Sequence, residues 1–296
     1  MDNKKIILVI PYRGIGDLIF HIPLMRGLYE KYKSKIIVIT NSANKAKFIL
    51  KKETSIKKII YINFQREEQI KNSYLFLKKI NEFKADICVL TAPSKRLIIP
   101  LLMTNVKKKI FFKKDKIKDL SKYIISQSVT EFPYIDFKKK YNLIFKKKKI
   151  KDHVIFLSID SHHDQNNWRE DNFIKLTYKL LKYKKTKKIF INFSPTKIKK
   201  FKEIYKKFSR NKKIFFTYNK KFNEIVNLIN NSSIIIGNES GPACLGASLG
   251  KNVFSIYNPK HTPNLSSKII NKKIVYFNSK KTKPEIIIKK IFKNII

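Results

Sequence analysis

Apolar residues run along this chain in short continuous blocks separated by stretches at helical spacing. The first block, residues 5–11 (KIILVIP), has no polar interruption, which suits a parallel strand buried on both faces. Residues 12–16 read as a turn, and beyond Asp17 the residues Leu18, Ile22, Met25 and Leu28 recur at helical spacing, predicting a helix over 17–31. The alternation continues with strands at 35–40, 58–62, 86–91 and 109–112, separated by helical patterns at 42–50, 67–83 and 94–103. After a break it restarts, with strands at 154–158, 188–192, 213–216, 233–236, 253–256 and 274–277. Helical patterns at 169–183, 197–208, 223–231 and 284–296 complete the second half, the last carrying Ile287, Ile288, Ile291, Phe292 and Ile295.

Repeated strand–helix units of this length predict an α/β protein with parallel sheets and right-handed crossovers, whose ligands bind beyond the carboxyl ends of the strands. Over residues 136–151 the periodicity fails and lysines accumulate, so the chain divides into a domain at 1–148 and a second at 149–296. Two similar halves of this kind suggest two doubly wound domains facing across a cleft.

Glycine marks two places in this pattern. Of seven glycines in 296 residues, four (Gly237, Gly241, Gly246, Gly250) fall in one stretch, GNESGPACLGASLG, and the others (Gly14, Gly16, Gly27) lie in or near the first strand-to-helix turn. In the later stretch Glu239-Ser240-Gly241-Pro242 reads as a helix start, with Ser240 as cap and Pro242 in the first turn. Its free N–H groups suit an anion such as a phosphate, although a close-packed α/β turn explains the spacing equally well. At the earlier site Asp17 stands where a helix begins, as an N-cap or first-turn carboxylate.

Composition changes the picture little. Lys plus Arg number 66 against 21 Asp plus Glu, a net charge of +45 that attracts polyanions in general. Arginine occupies only positions 13, 26, 66, 96, 169 and 210, and a lysine-dominated surface lacks the planar forks that base recognition favours, so no specific nucleic acid is expected. The excess of Lys, Ile, Asn, Phe and Tyr matches an AT-rich coding sequence on tolerant surfaces. Cys88 and Cys244 are the only cysteines, which argues against a disulfide framework and fits a reducing cytoplasm. No apolar run approaches a membrane span of ~20 residues, and the first apolar block leads into a glycine turn as a strand does, not into a cleavage site.

The residues Glu239, Ser240, Gly241, Pro242, Ala243, Cys244 and Leu245 resemble the C-terminal signature of glycosyltransferase family 9, the ADP-heptose:lipopolysaccharide heptosyltransferases. In that frame an acidic residue, Ser or Thr, Gly, two residues, His and Leu sit on the donor nucleotide; here Glu239 replaces Asp and Cys244 replaces His. The N-terminal Gly16-Asp17, with Pro23 six residues beyond the aspartate, matches the family's other site.

The resemblance implies a GT-B architecture, an acceptor-side first domain, a donor-binding second domain and a last helix crossing back to the first. It implies an inverting, metal-independent transfer without cofactor, from a nucleotide-sugar donor, ADP-heptose foremost, to a glycolipid acceptor of the lipopolysaccharide core. Asp17 would be the catalytic base, with Arg13, Gly14 and Gly16 beside the acceptor. Ser161, His162, Asn166, Trp168, Ser194, Glu239, Ser240, Gly241, Pro242 and Cys244 would contact the donor, Asn166 standing where the family has a phosphate-binding Lys. His162, His163 and Asp164 read as a polar loop, since adjacent residues rarely converge on one metal ion. His21 reads as a polar surface histidine. The implied location is cytoplasmic, with peripheral contact at the anionic inner membrane. A UDP- or GDP-sugar donor, or a non-catalytic polyanion-binding protein with a degenerate cleft, are the alternatives.

Overall fold

The computed structural model describes residues 4–64, 69–92, 94–117, 120–133, 153–160, 168–194, 197–259 and 273–295. The chain forms two compact units, Met1–Ile144 and Phe145–Ile296.

The first unit carries β1 (Ile6–Ile10), α1 (Ile15–Phe20), α2 (Ile22–Tyr32), β2 (Ile36–Thr40), α3 (Ala46–Ile49), β3 (Ile56–Tyr61), α4 (Gln69–Phe83), β4 (Ile87–Leu90), α5 (Lys95–Leu102), β5 (Lys108–Phe111) and α6 (Leu120–Glu131). Its five strands are all parallel, in the order β3-β2-β1-β4-β5. Every residue of β1 is buried, as the unbroken apolar run requires of a central strand. Ile7 and Val9 point to a face where they join a core with Phe76 and Ile80 of α4 and Leu97 and Leu101 of α5. The polar positions fall at the edges, with Lys57 and Lys58 in β3 and Lys108 and Lys109 in β5. Charged residues on an edge strand discourage pairing with another chain.

The second unit carries β6 (His153–Ser158), α7 (Glu170–Lys182), β7 (Thr186–Asn192), α8 (Ile198–Phe208), β8 (Ile214–Phe216), α9 (Phe222–Asn230), β9 (Ile234–Asn238), α10 (Gly241–Ser248), β10 (Asn252–Tyr257), β11 (Ile274–Asn278) and α11 (Pro284–Ile295). Six parallel strands run in the order β11-β10-β9-β6-β7-β8. Both sheets are doubly wound. Chain progression reverses between β1 and β4 in the first and between β6 and β9 in the second, and loops leaving such adjacent strands diverge and open a crevice.

All eleven expected strands are present within one or two residues. Four helical expectations differ. The helix expected over 42–50 is a 3-10 turn at Ser42–Asn44 followed by α3, the two parted at Lys45, whose φ of 58° is left-handed. The helix expected over 17–31 is two helices broken at His21, because Pro23 has no N–H to bond the Ile19 carbonyl and the ladder restarts there. Helix α6 (LSKYIISQSVTE) was not foreseen, because Ser, Thr and β-branched residues obscure its period. The last helix, expected to cross to the first half, lies with the second unit, its Ile287 and Ile291 being part of that unit's core.

Helix α10 shows why its stretch holds glycine. The Lys251 N–H bonds the Gly246 carbonyl and the Gly250 N–H bonds the Ala247 carbonyl, a Schellman ending that puts Gly250 at φ 74°. Gly237 serves proximity instead: a Cβ there would lie 2.3 Å from the Ser158 carbonyl oxygen on β6. That oxygen belongs to buried backbone and has nowhere to move. Gly237→Ala is therefore expected to lower the stability of the second unit by about 3 kcal/mol, read from urea midpoints.

Candidate active site

The turn after β1 is fixed from both neighbouring strands. On one side Thr40 Oγ1 donates to the Ile10 carbonyl at 2.7 Å and Asn44 Nδ2 to the Tyr12 carbonyl at 3.2 Å. On the other, the Tyr12 hydroxyl donates to the Thr91 carbonyl at 3.1 Å. Helix α1 begins within this frame, with Gly14 as its N-cap and Asp17 at its third position. The Gly14 N–H donates to Asp17 Oδ2 at 3.0 Å, the half of a capping box that a glycine cap still allows.

Glycine at position 14 is a matter of space. A Cβ there would sit 2.6 Å from Asp17 Oδ2, so any side chain would displace the carboxylate. Gly16 is half-buried in the same turn and Arg13 is exposed beside it. Burial pushes the Asp17 carboxyl above the ordinary Asp value, and the Gly14 N–H offsets part of that. The result is a better proton acceptor than an exposed Asp.

His21 is fully buried, contrary to the surface position expected of it. Its Nδ1 lies 2.6 Å from the Asp17 carbonyl oxygen, which can only accept, so Nδ1 carries a hydrogen. Its Nε2 lies 3.0 Å from Thr91 Oγ1, which is also 3.0 Å from the Val9 carbonyl, and one hydroxyl hydrogen can serve either. Donation to Val9 would demand an imidazolium in a fully buried site. Burial brings the His21 pKa down to about 4, so the ring is neutral and Thr91 donates to it. His21 thus holds the backbone of Asp17 and leaves the carboxylate untouched.

In the second unit the corresponding winding reversal lies between β6 and β9. Asn238, the last residue of β9, is fully buried. Its Nδ2 donates to the Ile159 carbonyl, and its Oδ1 accepts from the Trp168 N–H at 2.8 Å. One side-chain amide therefore ties Ile159 to Trp168. Trp168 is itself buried, its ring edge-on to Phe173 and its Nε1 donating to the Thr282 carbonyl at 3.0 Å. It offers no face to a ligand, so the donor contact expected of it is corrected to an anchoring role. Ser161, His162 and Asn166 lie outside the described residues.

The remaining donor-side candidates gather at the same end of the sheet. Ser194 donates its N–H to Asp160 Oδ2 at 2.9 Å, tying the turn after β7 to that after β6. Glu239 follows β9 directly and donates its N–H to the Ile256 carbonyl at 2.8 Å. Ser240 is the N-cap of α10, yet its Oγ is buried and makes no hydrogen bond among the described residues. Gly241 and Pro242 form the half-buried first turn, and Cys244, one turn in, is buried.

Sequence reasoning missed Asn238, Thr91 and Asp160, which contribute no motif. Their only signal was a polar residue at the end of an apolar strand. Among the described residues no group of three His, Cys, Asp or Glu side chains could hold a metal ion, and no helix is long and apolar enough to cross a membrane.

The sequence pattern of "Glycosyltransferase family 9 (heptosyltransferase)" matches residues 114–296. No curated protein matches the chain. Among solved structures, a glycosyl transferase family 9 protein from Veillonella parvula is similar at 16% identity and TM-score 0.76, covering 100% of this chain and 90% of that one. The Escherichia coli ADP-heptose lps heptosyltransferase II is similar at 13% identity and TM-score 0.75, covering 98% of each chain. Escherichia coli heptosyltransferase WaaC with ADP is similar at 12% identity and TM-score 0.73, covering 98% of this chain and 99% of that one. These likenesses give the fold, two parallel sheets of GT-B type.

Two outcomes are expected of the clamps. Asn238→Ala leaves a buried carbonyl and a buried N–H without their partner and should cost about 2–4 kcal/mol in denaturant unfolding. For His21, an unfolded chain takes up the proton near pH 6.5 and the folded chain only near about 4, so acid favours unfolding between those values. Wild-type stability should fall by on the order of 3 kcal/mol across that window, and His21→Gln should flatten the fall.

Proposed function

The chain belongs to glycosyltransferase family 9, and we propose that it transfers a heptose or related sugar, with inversion, from ADP-heptose to a hydroxyl of a lipopolysaccharide-core glycolipid. The observation that carries the reading is the Asp17 carboxylate, raised in pKa and held at the end of β1 by the Gly14 N–H. As the acceptor oxygen attacks the anomeric carbon, Asp17 takes the hydroxyl proton, the carbon–oxygen bond to the donor phosphate breaks, and ADP leaves with the electron pair. A base at the carboxyl end of a central strand, in a rigid turn, supplies positioning as much as basicity.

The leaving diphosphate is assigned to the start of α10, where the Gly241 N–H and the unpartnered Ser240 hydroxyl meet the positive end of the helix dipole. Glu239, Cys244 and Asn166, at positions where the family has Asp, His and Lys, favour a second donor reading, a UDP- or GDP-sugar. Family membership removes the non-catalytic polyanion-binding alternative. Peripheral attachment to the cytoplasmic face of the inner membrane draws support from the +45 charge and from Ile99, Leu102 and Met103, exposed at the end of α5.

Asp17→Asn keeps an oxygen that can accept from Gly14 and removes the base, so transfer should fall by at least ~100-fold with nucleotide affinity unchanged. The same variant should melt at or above the wild-type temperature at neutral pH. A carboxyl whose folded pKa is raised weakens the fold where it is ionised, and the difference should vanish below the unfolded Asp pKa of about 4. Retained transfer would remove Asp17 as the base. Calorimetric titration with ADP, UDP and GDP, at salt high enough to screen the lysines, decides the donor: selective ADP binding supports ADP-heptose, and selective UDP or GDP binding replaces it.

A further inference from the structure

At the amino ends of its strands, away from Asp17, the first unit holds a pocket of about 410 Å³, within the roughly 300–1,000 Å³ of small-molecule sites. Lys4 lies just ahead of β1, Asp86 directly before β4 and Lys107 directly before β5, whose first residue is Lys108. The last residues of α2, Lys31 and Tyr32, complete the wall. Strands β1, β4 and β5 are neighbours in the sheet, so their starts converge on one hollow.

In a chain so rich in lysine, the arrangement distinguishes this place and the count does not. Lys4 Nζ and Lys31 Nζ both lie over the Tyr32 ring, 5.8 and 5.6 Å from its centroid, and Lys31 Nζ is also 5.2 Å from the centroid of Phe132. The negative faces of these rings hold two otherwise flexible ammonium groups in place. Asp86, the one carboxylate of the pocket, is already engaged: its Oδ2 accepts from the Lys5 N–H at 2.9 Å and its Oδ1 lies 3.7 Å from Lys107 Nζ. Lys4 and Lys31 make no ion pair among the described residues. Like charges gathered in one hollow repel, and an anion carrying several charges relieves them together. An ammonium is a compact point charge with rotatable donors, which suits phosphate oxygens without the planar match that a guanidinium requires.

We propose that this pocket binds a phosphate-bearing anion of several charges, gripped by the ring-held ammonium groups of Lys4 and Lys31. It selects by number of charges more than by shape. A free polyphosphate and the headgroup of a lipid with two phosphates offer the same chemistry. Neither Asp17 nor the start of α10 contributes to this site, so it stands whether or not the transfer reading does.

The test is an amide-resolved NMR titration of the full chain with tripolyphosphate and with sulfate, at salt that screens diffuse lysine attraction. Tripolyphosphate should shift the Tyr32, Ile87 and Lys108 amides in one saturable step, with sulfate weaker by roughly tenfold or more. Lys4→Gln combined with Lys31→Gln should weaken tripolyphosphate by about tenfold or more, because the held pair is lost. Lys206→Gln combined with Lys207→Gln, which removes the same charge from the exposed end of α8, should change it by less than about twofold. No saturable shift at those amides, sulfate binding as tightly, or equal weakening in the two double variants would overturn the site. Vesicles of phosphatidylcholine with cardiolipin then identify the source. Displacement of tripolyphosphate by the vesicles, lost in the Lys4→Gln and Lys31→Gln chain, assigns the site to a lipid headgroup. Tripolyphosphate left in place by the vesicles assigns it to a free polyphosphate.

Discussion

A doubly wound sheet must satisfy the backbone of two loops that part company at the ends of adjacent buried strands. Inside a sheet each strand's N–H and C=O groups bond the next strand, but beyond the winding reversal that partner is gone while the surroundings are still dry. Each unit meets this constraint with a buried polar side chain at the reversal. In the second unit the Asn238 amide takes the Ile159 carbonyl with one end and the Trp168 N–H with the other. In the first, Thr91 accepts from Tyr12 with its carbonyl and meets His21 with its hydroxyl. The geometry of the crevice is thus set in the core, and the residues facing a ligand inherit it.

The same arrangement settles the electrostatics of Asp17. A carboxylate in the first turn of a helix is stabilised by the free N–H groups, which lowers its basicity; burial does the reverse. Here burial dominates, and among the described residues one backbone N–H, that of Gly14, bonds the carboxylate. His21 would be the natural partner for a proton relay, yet its Nδ1 hydrogen is committed to the Asp17 carbonyl and its Nε2 to Thr91. A neutral imidazole in that position braces the helix start without competing for the acceptor's proton.

What the sequence revealed follows from which forces are local. Strands buried on both faces leave unbroken apolar runs, so all eleven were legible, as was the glycine turn around Asp17. The break at Pro23 has a local cause, yet the helical spacing of Leu18, Ile22 and Met25 ran across it and hid it. His21 and Trp168 were misplaced for the opposite reason: the burial of a polar-edged ring depends on partners 70 and 114 residues away, Thr91 and Thr282. Asn238 stood in plain view within the glycine-rich stretch, but its importance lies in its bonds to Ile159 and Trp168, 79 and 70 residues away, and spacing along the chain carries no trace of them.

Net charge is the feature of this sequence that draws most notice and the one that locates least. Many of the lysines fall where a sheet needs a solvated or guarded position: Lys57 and Lys58 on one edge of the first sheet, Lys108 and Lys109 on the other, Lys187 and Lys188 exposed on β7. Such charges repel one another, are screened within about 8 Å at physiological salt, and attract any anionic surface without choosing among ligands. Selectivity needs a fixed, desolvated donor with a defined direction. In this fold those donors are few and lie at the winding reversals, among them the Gly241 N–H group and the Ser240 hydroxyl. The diffuse lysine field can bring an anionic glycolipid to the surface, but the geometry at the strand ends must decide which of its atoms meets Asp17.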